Sequence, residues 1–149
     1  MGEGGPVVIR SGPWSDEEIR RYLDATVIPV RLASMGTFPL VQSLWFLPDG
    51  LDLWCATQSD SVLARRLRAD PRCGFEVSGD QPPYRGVRGS GQAALVPEAA
   101  ADVLQRLLDR YRVATDSPLA AWLLSRMDTE VAVHITPGTL ASWDYSPRM

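Results

Sequence analysis

The chain contains no lysine: all fifteen of its Lys and Arg residues are arginine. That absence excludes a Schiff base to lysine and a lysine general base, and it leaves arginine, hydroxyls and backbone N–H groups to hold any anion. Histidine occurs once, at His134, and cysteine twice, at Cys55 and Cys73. No zinc-type ligand spacing arises from so few donors, so no metal site is expected. Each cysteine stands in an apolar run, where a thiol behaves as a small hydrophobe. No apolar run approaches the roughly 20 residues of a membrane span. The opening Met1-Gly2-Glu3-Gly4-Gly5-Pro6 lacks the basic-then-apolar layout of a signal peptide. The expectation is a soluble cytoplasmic protein with no membrane partner. Net charge is −3 and the only basic block is Arg65-Arg66-Leu67-Arg68, so no nucleic-acid partner is expected either.

What is present is enough apolar material for one core. At 149 residues and 45% hydrophobic content, one domain is expected over residues 14–149. Residues 1–13, with four glycines and two prolines around Val7-Val8-Ile9, read as a flexible arm lying on a partner subunit.

The pattern turns on residues 51–77. A strand-like run (Leu51 to Ala56) meets a polar corner (Thr57-Gln58-Ser59-Asp60-Ser61), then a short helix (Val62 to Ala69), a stop at Asp70-Pro71-Arg72 and a strand from Cys73 to Val77. A helix start exposes unpaired N–H groups and the positive end of the helix dipole, and Thr57, Ser59 and Ser61 add hydroxyls, a set suited to phosphate. The alternative is an N-cap by Ser59 or Asp60 that uses those donors internally.

Upstream, Ser15 with Glu18 forms a capping box, opening a helix that buries Ile19, Tyr22 and Leu23 and ends near Ala25. Strands are predicted over Val27–Met35, Phe38–Leu47 and Leu51–Ala56; Asp49-Gly50 pairs the last two antiparallel. Downstream, Tyr84–Val96 reads as a long strand interrupted by Gly86, Gly89 and Gly91, a pattern of either curvature or close approach by another backbone or a ligand. Pro97 opens a helix to about Arg112, and Ser117-Pro118 another, buried through Leu119, Trp122, Leu123 and Met127. Glu130–Thr136 alternates as a strand, turns at Pro137-Gly138 and ends on Ser142-Trp143-Asp144-Tyr145. Antiparallel strands with segregated helices point to a mainly β (α+β) fold, a small closed barrel with helical caps.

Taken together, Leu32-Ala33-Ser34 before Phe38-Pro39-Leu40-Val41, Leu53-Trp54-Cys55-Ala56-Thr57, Leu67-Arg68-Ala69-Asp70-Pro71-Arg72-Cys73 and the glycine-punctuated strand after Pro82-Pro83-Tyr84 form a pattern. It resembles the pyridoxamine-phosphate-oxidase-like family of flavin- and deazaflavin-binding split barrels. The resemblance implies a six-stranded antiparallel split β-barrel with capping helices, homodimeric, with two cofactor sites at the interface. The implied cofactor is FMN, alternatively the deazaflavin coenzyme F-420, or haem in some branches. It places Thr57 and Ser61 at the phosphate corner and Gln42 and Ser43 on the strand flanking the ring. The chain departs from the family where many members carry a basic residue, commonly lysine, two positions after the corner serine: here stands Leu63, preceded by Val62, and Asp60 puts a negative charge at the corner. Phosphate charge must then come from Arg65 or Arg66, or from Arg85 or Arg88, all of which are alternatively solvated surface groups. Trp45, Trp54 and Trp143 can each stack on a ring or pack in the core; Trp143 is the best placed to reach a neighbouring subunit. His134 is either a proton donor or structural, and no catalytic residue is assigned.

The implied activity is that of a flavin- or deazaflavin-dependent oxidoreductase passing hydride to or from a small-molecule substrate. The alternatives are a non-catalytic module holding flavin, deazaflavin or haem, and a barrel that has lost its cofactor.

Overall fold

A computed structural model describes residues 8–149; part of the expected arm, residues 1–7, lies outside the described residues. Eight strands and four α-helices occur among the described residues. They are β1 (Ile9–Ser11), α1 (Asp16–Ala25), β2 (Val30–Ser34), β3 (Leu40–Leu44), β4 (Leu47–Asp49), β5 (Asp52–Gln58), α2 (Val62–Ala69), β6 (Arg72–Ser78), β7 (Arg85–Val96), α3 (Ala100–Arg110), α4 (Pro118–Ser125) and β8 (Glu130–Asp144). All strands join one sheet in the order β3-β2-β6-β7-β8-β5-β4, with β1 on β8.

The count differs from the six expected for two reasons. The expected Phe38–Leu47 strand breaks at Trp45-Phe46 into β3 and β4, which stand at opposite ends of the strand order. Phe46 is fully buried, and its N–H is taken by the Tyr111 hydroxyl at 3.0 Å, so the chain turns a corner there and curls the sheet. The second reason is Ile9–Ser11, within the expected arm, which runs parallel to Thr139–Ala141.

Local chemistry explains the helices. Ser15 and Glu18 form the reciprocal capping box at α1. Helix α2 spans Val62–Ala69 as the pattern predicts, but its N-cap is Ser61, whose Oγ accepts from Ala64 N–H at 3.0 Å. Neither Ser59 nor Asp60 caps it. Pro97 opens a 3-10 turn before α3, whose Val103, Leu104, Leu107 and Leu108 are buried. In α4 the expected burial fails: Ala120 is buried, whereas Leu119 and Trp122 are 44% and 54% exposed.

Pro137-Gly138 is not a turn. Strand β8 runs through it and pairs with β7 from Val96↔Ala132 to Arg85↔Asp144, with a bulge where Ser90↔Thr139 is followed by Gly91↔Pro137. A Cβ on Gly91 would lie 2.1 Å from Thr136 O, so glycine there admits the neighbouring backbone and the bulge absorbs a proline that has no N–H to donate. Gly86 and Gly89 are likewise crowded, by Trp143 and by Thr139 O.

Leu32, Leu53, Cys55, Val77, Val87, Val133, Ile135 and Leu140 fill the interior with Ile19 and Leu23 of α1 and Leu63 and Leu67 of α2. The two helices close opposite ends. Tyr22 of α1 donates to Val77 O, whereas α2 leads directly into the Arg72 end of β6. No helix among the described residues is long and apolar enough to cross a membrane.

Candidate functional site

The polar corner closes the α2 end of the barrel. Thr57, next to last in β5, donates its hydroxyl to Ser61 Oγ at 2.9 Å. Ser61 Oγ therefore accepts twice, from Thr57 and from Ala64 N–H, and its own proton remains to donate outward. Among the described residues no side chain or loop carbonyl takes the N–H groups of Val62 and Leu63, the first two of the helix. Leu63, at the position where the resemblance implies a base, is 1% exposed and belongs to the core. Asp60 is exposed beside it.

The four arginines singled out from the sequence have different occupations. Arg66 reaches from α2 to Phe38 O at 2.8 Å, and Gly36 leaves room for its guanidinium. It thus ties the β2–β3 turn to the helix. Arg65 is exposed, one residue earlier, and its side chain makes no hydrogen bond or ion pair among the described residues. Arg88 lies over the Trp143 ring, 5.6 Å from its centroid, and Arg85 pairs in register with Asp144.

These residues form two groups. Thr57, Ser61, Arg65 and Arg66 stand at the α2 end, with Gln42 and Ser43 on the adjoining β3. Arg85, Arg88 and Trp143 stand at the α1 end. Thr57 pairs with Val131 and Arg88 with Ala141, ten residues along β8, an extended path of about 33 Å. One protomer does not bring the groups together. On β3, Gln42 pairs with Leu32 and faces the barrel interior, while Ser43 pairs with Arg31 on the outer face.

Arg88 and Trp143 each line a cavity of their own, and two further cavities are built mostly from residues that sequence reasoning did not single out. The larger, of about 1080 Å³, runs along the outer face of β7 and β8 beside the end of α2. Its floor is made of small residues such as Ser90, Gly91 and Ala94, its charged groups are Arg68 and Arg72, and the His134 imidazole also lines it. Arg72 is clamped by Asp70 at 2.7 Å, and the guanidinium holds the Asp70 carboxyl down at about 2. The smaller cavity, of about 330 Å³, lies beneath α4 and carries Ser43 and Glu130. His134 was weighed in the sequence alone; its partner Asp52, 2.8 Å away, lies 82 residues earlier, beyond the reach of any local spacing rule.

The thiols take no part. Burial pushes Cys55 up to about 12 and Cys73 to about 11, so neither supplies a thiolate near neutral pH. No group of three or more His, Cys, Asp or Glu side chains positioned for a metal occurs among the described residues.

No protein-family model and no curated protein matches the sequence. Solved structures do match the fold. A conserved hypothetical protein of Mycobacterium tuberculosis is 29% identical, with a TM-score of 0.75 over 89% of this chain and 86% of that one. An F-420 reductase is 22% identical, with a TM-score of 0.69 over 86% of this chain and 97% of that one. A putative pyridoxamine 5'-phosphate oxidase of Listeria innocua is 19% identical, with a TM-score of 0.65 over 85% of this chain and 96% of that one.

Proposed function

We propose that this chain, whose fold is that of the pyridoxamine-phosphate-oxidase-like split barrels, binds a flavin-type cofactor between two copies of itself and acts as an oxidoreductase. The observation that carries the reading is the corner at α2: a hydroxyl with a proton to give, two unpaired N–H groups and an unengaged arginine meet at one helix start. This donor set fits a phosphate.

In this reading Ser61, the Val62 and Leu63 N–H groups and Arg65 hold the phosphate of FMN or of coenzyme F-420. Thr57 orients the Ser61 hydroxyl. The strand that carries Gln42 and Ser43, β3, flanks the ring, and Arg66 keeps the β2–β3 turn seated against the helix. Arg85, Arg88 and Trp143 come from the second protomer, because in one protomer they stand at the opposite end of the barrel. Met35, Phe38, Val41 and Val62, exposed around the corner by 41%, 77%, 63% and 49%, provide an apolar surface for that second copy. Bound there, a flavin or deazaflavin supplies hydride transfer to or from a small molecule.

A second reading, a dimeric carrier that holds the cofactor without turnover, is favoured by one observation. With Leu63 in the core and Asp60 exposed at the corner, the phosphate is held by less positive charge than in family members that carry a base there.

The test is an absorbance titration of the protein with FMN and with F-420 in separate runs, with the oligomeric state followed by light scattering. A saturable shifted band from one of them is expected, on a dimer. A Ser61→Ala/Arg65→Ala protomer mixed with an Arg88→Ala/Trp143→Ala protomer should regain sites that neither double variant has alone. Absence of binding by either cofactor sinks the reading; binding without recovery in the mixture sinks the shared site. Reduction of the bound cofactor followed by reoxidation on an added acceptor separates the enzyme from the carrier.

A further inference from the structure

The cavity of about 330 Å³ lies between the outer face of β3 and β5 and the helices α3 and α4. Its walls are apolar, with Leu44, Trp45, Leu104, Leu107, Leu119 and Leu123 among them, and its one charged lining group is Glu130. The walls are firm on one side. Trp45 stacks on Tyr111 with centroids 5.0 Å apart, and the Tyr111 hydroxyl is fixed between Phe46 N–H and Ile28 O. On the other side stands α4, with Ala120 its one buried residue.

Glu130 is held in place with care for one oxygen only. Gln58 Nε2 donates to Glu130 Oε1 and to Arg126 O, while Gln58 Oε1 accepts the Thr129 hydroxyl. The amide is thereby used up in fixing the carboxylate. Oε2 accepts no hydrogen bond, and the carboxylate forms no ion pair, among the described residues. The Arg126 guanidinium, which acts on the carboxylate without forming an ion pair with it, stacks on Trp122 at 4.3 Å. Burial pushes the Glu130 carboxyl up, against the opposing pull of Gln58 and Arg126, as expected of a carboxylate facing a cavity poor in donors.

We propose that this cavity binds a small primary amine with a compact apolar body, its ammonium on Glu130 and its body against the leucines of α3 and α4. An ammonium matches the uncompensated charge and brings three donors, enough for Oε2 and the Ser43 hydroxyl together. An anion would be repelled, and a neutral ligand would leave the carboxylate desolvated and unpaired. The volume sits at the low end of ligand pockets, about 300–1,000 Å³, which restricts the body to a single ring or a short branched chain. Apart from Ser43, none of these groups is assigned to the cofactor, so the site stands whether or not a flavin binds.

The test is calorimetric titration of the full-length protein without cofactor, using phenethylamine, phenethyl alcohol and phenylacetate, which differ in charge and little in shape. The amine should bind saturably and about tenfold or more tightly than the alcohol, the size of one charge-assisted hydrogen bond, and phenylacetate should not bind. Glu130→Gln should bring the amine down to the level of the alcohol. Equal binding of amine and alcohol, no saturable binding of the amine, or survival of the amine preference in Glu130→Gln would each overturn the proposal. The three-ligand comparison on the unaltered protein decides the matter even if the variant does not fold.

Discussion

The imidazole of His134 lies flat on the indole of Trp54, with ring centroids 4.1 Å apart and planes 3° apart. The two residues are direct partners across β5 and β8, and the stack is pinned at both ends. His134 Nε2 lies 2.8 Å from Asp52 Oδ2 and Trp54 Nε1 donates to Asp49 Oδ2. The chain's one histidine is thus an organised part of the outer sheet face and of the larger cavity wall.

That arrangement sets the first expectation. His134→Ala should destabilise the fold by about 1 kcal/mol through loss of the cross-strand pair. In a cycle with Asp52→Asn the coupling should be about 0.5 kcal/mol, since both side chains are partly exposed. Urea unfolding of the four proteins measures it; a coupling indistinguishable from zero would mean that the pair contributes geometry alone.

At the corner, placing a base two positions after Ser61 should fail. Leu63→Lys puts an ammonium where the side chain is 1% exposed, so a loss of about 3 kcal/mol or more is expected with no gain in cofactor affinity. Ser61→Ala should cost about 1 kcal/mol as a lost N-cap and, under the proposed function, also weaken cofactor binding. Thermal melts and the absorbance titration read the two effects separately.

The glycines of the β6–β7 region should differ sharply. A Cβ on Gly91 meets Thr136 O at 2.1 Å, whereas one on Gly74 meets nothing closer than Gly89 O at 3.7 Å. Gly91→Ala is therefore expected to cost about 2 kcal/mol or more, and Gly74→Ala less than about 0.5. Chemical denaturation that ranked them the other way would place the bulge elsewhere.

Glu130 gives a pH dependence. Its folded carboxyl is raised above the ordinary 4.5 by burial, so the folded state holds the proton more tightly than the unfolded state. Ionisation at neutral pH consequently costs stability, and the cost fades as pH falls through the raised value toward 4.5. Glu130→Gln should melt higher than the unaltered protein at neutral pH, by no more than about 2 °C for a half-exposed group. The difference should vanish in acid. A gap that widened in acid would reverse the sign of the shift.

Much of the fold is legible in the sequence because its signals are local. Ser15 and Glu18 stand one turn apart, and α2 lies between the hydroxyl-rich corner and Pro71 as the pattern predicts, although its cap is Ser61 rather than Ser59 or Asp60. What escaped depends on distant partners. Leu119 and Trp122 have the spacing of a buried stripe, yet both stay largely exposed, with the Arg126 guanidinium lying over the Trp122 ring. Pro137-Gly138 has turn composition, but Gly91 on the facing strand accommodates it as a bulge. Phe38 to Leu47 reads as one apolar run, and only the Tyr111 hydroxyl at Phe46 marks the corner. Of the site, the hydroxyls at the helix start were legible. The cavity groups were not, since Glu130 meets Gln58 across 72 residues.

Strand β8 pairs with β7 along nearly its whole length, with β5 along one half and with β1 along the other. On the ribosome, then, β1 and β5 emerge long before the strand that completes them. Until β8 has been synthesised, the inner edge of β5 is open to any passing strand. The nascent chain is consequently most exposed to misassociation between the synthesis of β5 and that of β8, and the apolar run Leu53–Cys55 is the segment a chaperone would have most reason to hold.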